Sequence, residues 1–269
     1  MSSDQSSTRI SQAFAKAKSE DRALLIGYLP AGFPSIDYSI ELLTTMIDNG
    51  VDLVEVGLPY SDPLMDGPVI QGAVSTALEG GATTDSVLDV VQAVSAHGGL
   101  PVVMSYWNPI EQYGVERFAR RLSECGGAGL ITPDLTIEEA GPWLDAAHGF
   151  DIDPIFLVAP SSSDARITAV TDHTGGFVYA ASTMGVTGAR DQVSSMAPEL
   201  VARVKGITDL PVAVGLGVSD GMQAAAISRY ADGVIVGSAF VRAASSGGSP
   251  AVAELAQDLA HGVRGVRTA

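Results

Sequence analysis

Glu55 sits inside the apolar run Asp52-Leu53-Val54-Glu55-Val56, and a loop rich in Gly, Pro and Asp, Gly57 to Pro68, follows at once. An ionised carboxylate costs several kcal/mol to take out of water, after which it shifts its pKa or finds a partner. Asp66, late in the loop, is a second acid in a more solvated setting. Two carboxylates in unlike environments can divide acid and base work, one raised by burial and the other kept ionised. The same glutamate can also be read as half of an ion pair with an arginine. Asp62, in Ser61-Asp62-Pro63, has the pattern of a turn former or of a contact on an exposed loop.

A second chemistry is written in glycine. Phe177 to Ser182 leads into Gly185-Val186-Thr187-Gly188, Val214 leads into Gly215-Leu216-Gly217-Val218-Ser219, and Val234 to Val236 leads into Gly237-Ser238-Ala239 and a short helix. Glycines let the backbone approach an anion closely, and the free N–H groups of a helix N-terminus complete a phosphate cradle. Each segment alone marks a turn; three at corresponding places in successive strand–helix units favour phosphate. Arg190 and Arg242 lie near two of these loops, as phosphate contacts or as solvated surface residues.

Other chemistries are disfavoured. The 269 residues carry 31 acidic against 15 basic side chains, a formal net charge of −16, which argues against nucleic acid or an anionic membrane as partner. The lysines Lys16, Lys18 and Lys205 fall on no strand or strand-following loop, so a Schiff base lacks its nucleophile. His97, His148, His173 and His261 all fall at expected helix C-termini, where they cap rather than catalyse, so no metal site is expected. Cys125 is the only cysteine, which rules out an internal disulfide. The polar N-terminus lacks the order of a signal peptide and no apolar run is long enough to span a membrane, so a cytoplasmic location is expected.

These residues need elements to hold them. Apolar runs at Ala23–Leu29, Asp52–Val56, Pro101–Ser105, Gly129–Ile131, Pro154–Val158, Phe177–Ala181, Pro211–Val214 and Gly233–Val236 read as strands. Amphipathic stretches at Ser39–Asp48, Asp85–Ala96, Gly114–Glu124, Ile137–Ala147, Ser194–Lys205 and Gly221–Arg229 read as helices between them. Near-continuous apolar strands alternating with helices mean a parallel sheet covered by helices. Eight such units in one evenly composed chain favour a (β/α)8 TIM barrel of α/β class, a single domain over residues 1–269, above an open doubly wound sheet. An extra N-terminal helix, Thr8–Ser19, is expected to cap the bottom. In such barrels chemistry sits on the loops after the strands, where Glu55, Asp66 and the glycine segments fall.

The segment Asp52 to Gln71, with Glu55, Pro59-Tyr60-Ser61-Asp62-Pro63 and Asp66-Gly67-Pro68 inside it, resembles the signature of the tryptophan synthase alpha chain family. The resemblance runs on through Tyr28 to Pro34, Ser105-Tyr106-Trp107-Asn108-Pro109, Asp134 to Glu139 and the three glycine segments. It implies a lyase that cleaves indole-3-glycerol phosphate to indole and glyceraldehyde 3-phosphate. It also implies a heterotetramer of alpha2-beta2 type, whose beta chain takes up the indole for tryptophan synthesis. No cofactor is expected on this chain; pyridoxal phosphate is expected on the beta partner. Carried over residue by residue, Glu55 is the general acid–base and Asp66 the second catalytic acid. Tyr28, Tyr106, Tyr179, Thr187, Gly188, Gly217, Gly237 and Ser238 match substrate contacts, with Thr187 on a mobile loop that orders Asp66. Pro59 and Asp62 match the loop that faces the beta chain. Phe33 stands where many members carry an acidic residue, and Trp107 lies in a variable segment, both at the pocket's edge.

The chemistry fits the exclusions. A retro-aldol cleavage needs an electron sink, and an indole protonated at C3 is its own. Another phosphate-binding barrel shares the glycine loops but leaves the Glu55 to Asp66 segment unexplained; a non-catalytic activator of a partner chain leaves both acids and Tyr179 without a use.

Overall fold

Parallel strands inside, helices outside and glycines at the turns build the architecture. The computed structural model describes residues 8–181, 190–215 and 217–265. In chain order the first half is α1 (Arg9–Ser19), β1 (Leu24–Pro30), α2 (Ile36–Asp48), β2 (Leu53–Gly57), α3 (Pro68–Glu79), α4 (Thr84–Ala96), β3 (Pro101–Met104), α5 (Trp107–Tyr113), α6 (Val115–Glu124) and β4 (Gly129–Ile131). The second half is α7 (Gly141–Gly149), β5 (Asp153–Ile155), β6 (Leu157–Val158), α8 (Asp164–Thr171), β7 (Val178–Ala181), α9 (Arg190–Lys205), β8 (Val212–Gly215), α10 (Gly221–Ser228), β9 (Gly233–Val236) and α11 (Ser238–Arg264). The sheet order is β5-β4-β3-β2-β1-β9-β8-β7-β6, parallel at every described pairing.

The two ends of that order, β5 and β6, are consecutive in the chain. The expected strand Pro154–Val158 is therefore broken at Phe156: Asp153–Ile155 pairs with β4 and Leu157–Val158 with β7. Pro154 has no N–H to offer the ladder, consistent with a short, interrupted strand. The result is a nearly closed TIM barrel in which one of eight staves changes neighbours halfway.

Alternation with period two decides what enters the barrel. Leu24, Ile26, Leu53, Val102, Ile131, Ile155, Phe177, Ala213 and Ile235 pack with one another inside, and Ile10, Phe14 and Ala17 of α1 close the layer from below. Phe14 meets Phe177 with ring centroids 5.5 Å apart, so the N-terminal helix does plug the bottom. Thr8 is its N-cap, accepting the Ser11 N–H at 3.2 Å. The other face of each strand packs against the helices in the larger core.

Differences from the sequence reading fall where helices are short or begin in turn-like sequence. The helix Pro68–Glu79 grows directly from the Gly- and Pro-rich loop, with Pro68 in its first turn, where a missing N–H costs nothing. The helices Trp107–Tyr113 and Asp164–Thr171 have only seven and eight residues, too few to display periodicity. The stretch read as Ile137–Ala147 becomes helical only from Gly141, again with a proline in the first turn. The short helix after Gly237 continues through a kink at Gly248 (φ 60°, ψ −151°) into the terminal helix.

Candidate functional site

Continuing the inward alternation toward the C-terminal ends of the strands replaces aliphatic residues with polar ones. Leu24 and Ile26 are followed by Tyr28, Leu53 by Glu55, and Phe177 by Tyr179. With Asp66 and Gly67 from the loop after β2, these residues line a cavity of about 210 Å³ at the catalytic end of the barrel. Met104, Leu157, Ile235 and Ile70 supply its apolar wall, and Gly217, Gly237 and Ser238 its far side.

Glu55 is 1% exposed. Its Oε1 has no hydrogen-bond partner among the described residues, and burial pushes its carboxyl up to about 8. No arginine pairs with it among the described residues: the buried arginine, Arg22, bonds Asp52 and Glu20 instead. Asp66 is only partly buried; burial raises its carboxyl and a hydrogen bond with the Tyr106 side chain opposes the rise. Two acids thus meet one cavity in unlike environments, as the division of acid–base work requires.

The tyrosines depend on glycines in the neighbouring strands. A Cβ on Gly57 would stand 2.5 Å from the Tyr28 hydroxyl, and one on Gly215 would stand 2.8 Å from that of Tyr179. Only glycine leaves room for either ring across the barrel mouth. Burial holds both phenols well above their usual range, with the charges of Asp66 and Glu55 adding to the effect. Tyr106 stands one step behind the cavity. Its hydroxyl accepts the Met65 N–H at 2.9 Å, bracing the loop that carries Asp66, and its ring lies 5.5 Å from that of Tyr60.

Gly237 is the N-cap of α11, so Ser238 and the residues after it turn free N–H groups toward the cavity. Gly217 has φ +66° and nothing within 4 Å of where a Cβ would lie. Arg242 is exposed on α11 and does not line the cavity. Thr187, Gly188 and the rest of the loop from Gly185 lie outside the described residues, as does the side chain of Arg190.

At the rim, Asp62 is exposed and accepts the Ser61 hydroxyl at 2.6 Å, whereas Pro59 is buried within this chain. Sequence reasoning missed Leu64 and Met65, which are 76% and 38% exposed in the same loop. Two apolar side chains in solvent beside Asp62 are the physical mark of a covered surface, and their signal was the Pro-Leu-Met run itself. Phe33 is buried in the core, and the Trp107 N–H donates to Asp134 at 2.9 Å at the start of α5. Gly57 was also missed as a room-maker, and Gly215 was read only as part of a phosphate segment, because a glycine at a strand end looks like a turn.

The histidines stand where helix capping places them. His97 is the C-cap of α4 and meets Asp48 at 2.8 Å, His148 and His261 lie in last turns, and His173 bonds the Ala169 carbonyl. Among the described residues no three His, Cys, Asp or Glu side chains converge as metal ligands, and no helix is long and apolar enough to cross a membrane.

Comparison with known proteins completes the picture. A family model described as tryptophan synthase alpha chain matches residues 14–264. The tryptophan synthase alpha chain of Nocardia farcinica is 55% identical over 262 residues, 97% of this chain and 98% of its own length. That of Mycobacteroides abscessus is 56% identical over 95% of this chain and 97% of its own. Among solved structures, Mycobacterium tuberculosis tryptophan synthase superposes with a TM-score of 0.91 at 52% identity, covering 96% of this chain and 98% of that one. The alpha subunit from Legionella pneumophila superposes at 0.86 with 30% identity, covering 96% and 99%. With this match over nearly its whole length, the chain belongs to the tryptophan synthase alpha chain family.

Proposed function

We propose that this chain, as one domain over residues 1–269, cleaves indole-3-glycerol phosphate to indole and glyceraldehyde 3-phosphate and passes the indole to a beta chain in an alpha2-beta2 complex. The observation that carries the reading is the buried Glu55, its Oε1 without a partner among the described residues, on the wall of a cavity also lined by Gly217, Gly237 and Ser238 at a helix N-terminus.

Near neutral pH a carboxyl raised to about 8 holds its proton, which suits Glu55 to deliver it to C3 of the indole. The ring becomes an indoleninium, and the bond from C3 to the glycerol side chain breaks with its electron pair returning to the ring. The side-chain hydroxyl becomes the aldehyde and returns its proton to Glu55, so the residue ends as it began. Asp66 faces the positive charge that develops at the indole N–H. Tyr28 and Tyr179 flank the ring, Tyr106 acts through Asp66, and Met104, Leu157 and Ile235 exclude water. Gly217, Gly237 and Ser238 take the phosphate without a lysine, Gly188 is assigned to the same end of the substrate, and Thr187 to ordering Asp66.

Asp62, with Leu64 and Met65, forms the face toward the beta chain, and the buried Pro59 supports that loop from behind. Pyridoxal phosphate belongs to that partner, and no step on this chain uses it. A cytoplasmic location is part of the same reading, supported by the single cysteine and the strong negative charge. Indole release by the purified chain, before and after adding a beta chain, tests the proposal. Release that rises with the partner is expected. Stimulation of the beta chain with no release would make this chain an activator, and no effect at all would leave another phosphate-binding barrel.

A further inference from the structure

The other end of the barrel holds a larger opening, a cleft of about 990 Å³ between α1 and the N-terminal approaches to β5, β7 and β8. Phe14, Ile207, Leu210 and Pro211 give it apolar surface, and Lys18 and His148 stand at its exposed rim. Asp153, the first residue of β5, lies in its wall and is 6% exposed. Its Oδ2 has no hydrogen-bond partner among the described residues. Burial raises its carboxyl, against the opposing influence of the Thr8 side chain and Arg9.

Two carboxylates at comparable places show what a purely structural aspartate does here. Asp52, just before β2, takes two bonds from Arg22 at 2.7 and 2.8 Å and the Leu25 N–H at 2.9 Å. Asp232, just before β9, takes Lys205 at 2.9 Å and the Val212 N–H at 3.0 Å. Asp153 closes no such clamp, although a buried oxygen without a donor is costly. The chain packs tightly around it all the same. A Cβ on Gly175 would come within 2.7 Å of Asp153 Oδ1, and one on Gly176 within 3.1 Å of Oδ2.

We propose that this cleft is a second ligand site, for a small organic ammonium whose charged group bonds Asp153 Oδ2 and whose apolar body lies on Phe14, Ile207, Leu210 and Pro211. The volume falls in the range of small-molecule sites, roughly 300–1,000 Å³. An anion is disfavoured: with Arg22 bonded to Asp52 and Glu20, and Asp232 to Lys205, the carboxylates Asp153 and Asp209 remain in the lining while Lys18 and His148 stand only at its exposed rim. A metal ion lacks ligands, since no three suitable side chains converge there among the described residues. A neutral apolar molecule would leave the Asp153 oxygen unpaired.

Ligand-observed NMR titration of the full chain tests this with benzylammonium against benzyl alcohol, which matches its shape without the charge. The ammonium is expected to bind at least ~10-fold more tightly, the ratio of a charge-assisted hydrogen bond to a neutral one. Asp153→Asn is expected to bring the two probes level. Ala15→Arg is expected to do the same, by setting a cation in the cleft from an exposed helical position, so the test survives if the first variant folds poorly. Indole-3-glycerol phosphate at saturation is expected to leave the probe bound. Equal affinity for the two probes, indifference to Ala15→Arg, displacement by the substrate, or no binding would each overturn the proposal.

Discussion

At the N-terminal end of the barrel, Asp52 engages both of its oxygens, holding Arg22 in a two-bond fork and clamping the Leu25 N–H of the neighbouring strand. Three residues further along the chain, within β2 and toward its C-terminal end, Glu55 is more deeply buried and leaves Oε1 without a partner among the described residues. One acid stands at the edge of an apolar run and the other inside it. Burial raises the second carboxyl, and the first is held by a cation and an N–H that the fold supplies; the two together separate a carboxylate that joins strands from one that holds a proton. A partner at the second site would have lowered the pKa and removed the proton that the reaction needs.

The largest effect is expected at the unpartnered acid. Glu55→Gln keeps the shape and removes the transferable proton, so turnover in indole release should fall at least ~100-fold. Its thermal midpoint should not fall, because no protein bond to Oε1 is lost. Near-normal turnover would break the contrast at its root. The paired acid should behave in the opposite way. Asp52→Ala leaves Arg22, 6% exposed, with only Glu20 and the Ala23 carbonyl, and leaves the Leu25 N–H unclamped, which should cost ~3 kcal/mol in urea unfolding. Turnover per folded molecule should be unchanged. A stability loss below ~1 kcal/mol would mean that the clamp is ornamental.

Titration sharpens the same contrast. Folded Glu55 keeps its proton up to about 8, whereas unfolded it releases it near 4.5. Between those values the folded chain binds more protons, so Glu55 makes stability fall as pH rises, by ~2 kcal/mol between pH 6 and 8. Glu55→Gln lacks this component, and its stability relative to the natural chain should grow over that interval. In the natural chain kcat/KM should fall above about pH 8, as the proton donor is lost. A stability difference that stays flat with pH would show that Glu55 is not the buried acid the cavity makes it.

Much of this was legible in the residues. A strand acid is conspicuous because its neighbours Val54 and Val56 are apolar, and the order of strands and loops placed Glu55 and the glycine segments at one end of the barrel, whereas Tyr179 came from the family resemblance. What escaped has common physical causes. The helix Pro68–Glu79 begins with the residues that usually end one, and the break at Phe156 reflects a change of neighbour, a long-range event that a local pattern does not carry. The bond that the Tyr106 hydroxyl accepts from the Met65 N–H, 41 residues away in sequence, depends on how two loops meet. Gly57 and Gly215 matter for the rings they admit, and those rings come from other strands.

The smallest expected effect compares two glycines with nearly the same backbone at opposite ends of the barrel. Gly217, on the cavity wall, has φ +66° and Gly176, in the bottom cleft, φ +65°. An alanine at either is strained by ~1 kcal/mol in this left-handed region, so the backbone term cancels in the comparison and the surroundings decide the rest. At Gly217 a Cβ meets no protein atom within 4 Å and projects where the phosphate is assigned. Gly217→Ala should therefore raise KM for indole-3-glycerol phosphate about 5-fold, about 1 kcal/mol of binding, while kcat holds. At Gly176 the Cβ would press Ile10 at 3.0 Å and Asp153 Oδ2 at 3.1 Å. Gly176→Ala should accordingly lose more stability than Gly217→Ala and leave KM untouched. Equal KM changes in the two variants would mean that the glycine loop after β8 serves the fold alone, and the phosphate would then have to be assigned elsewhere in the cavity.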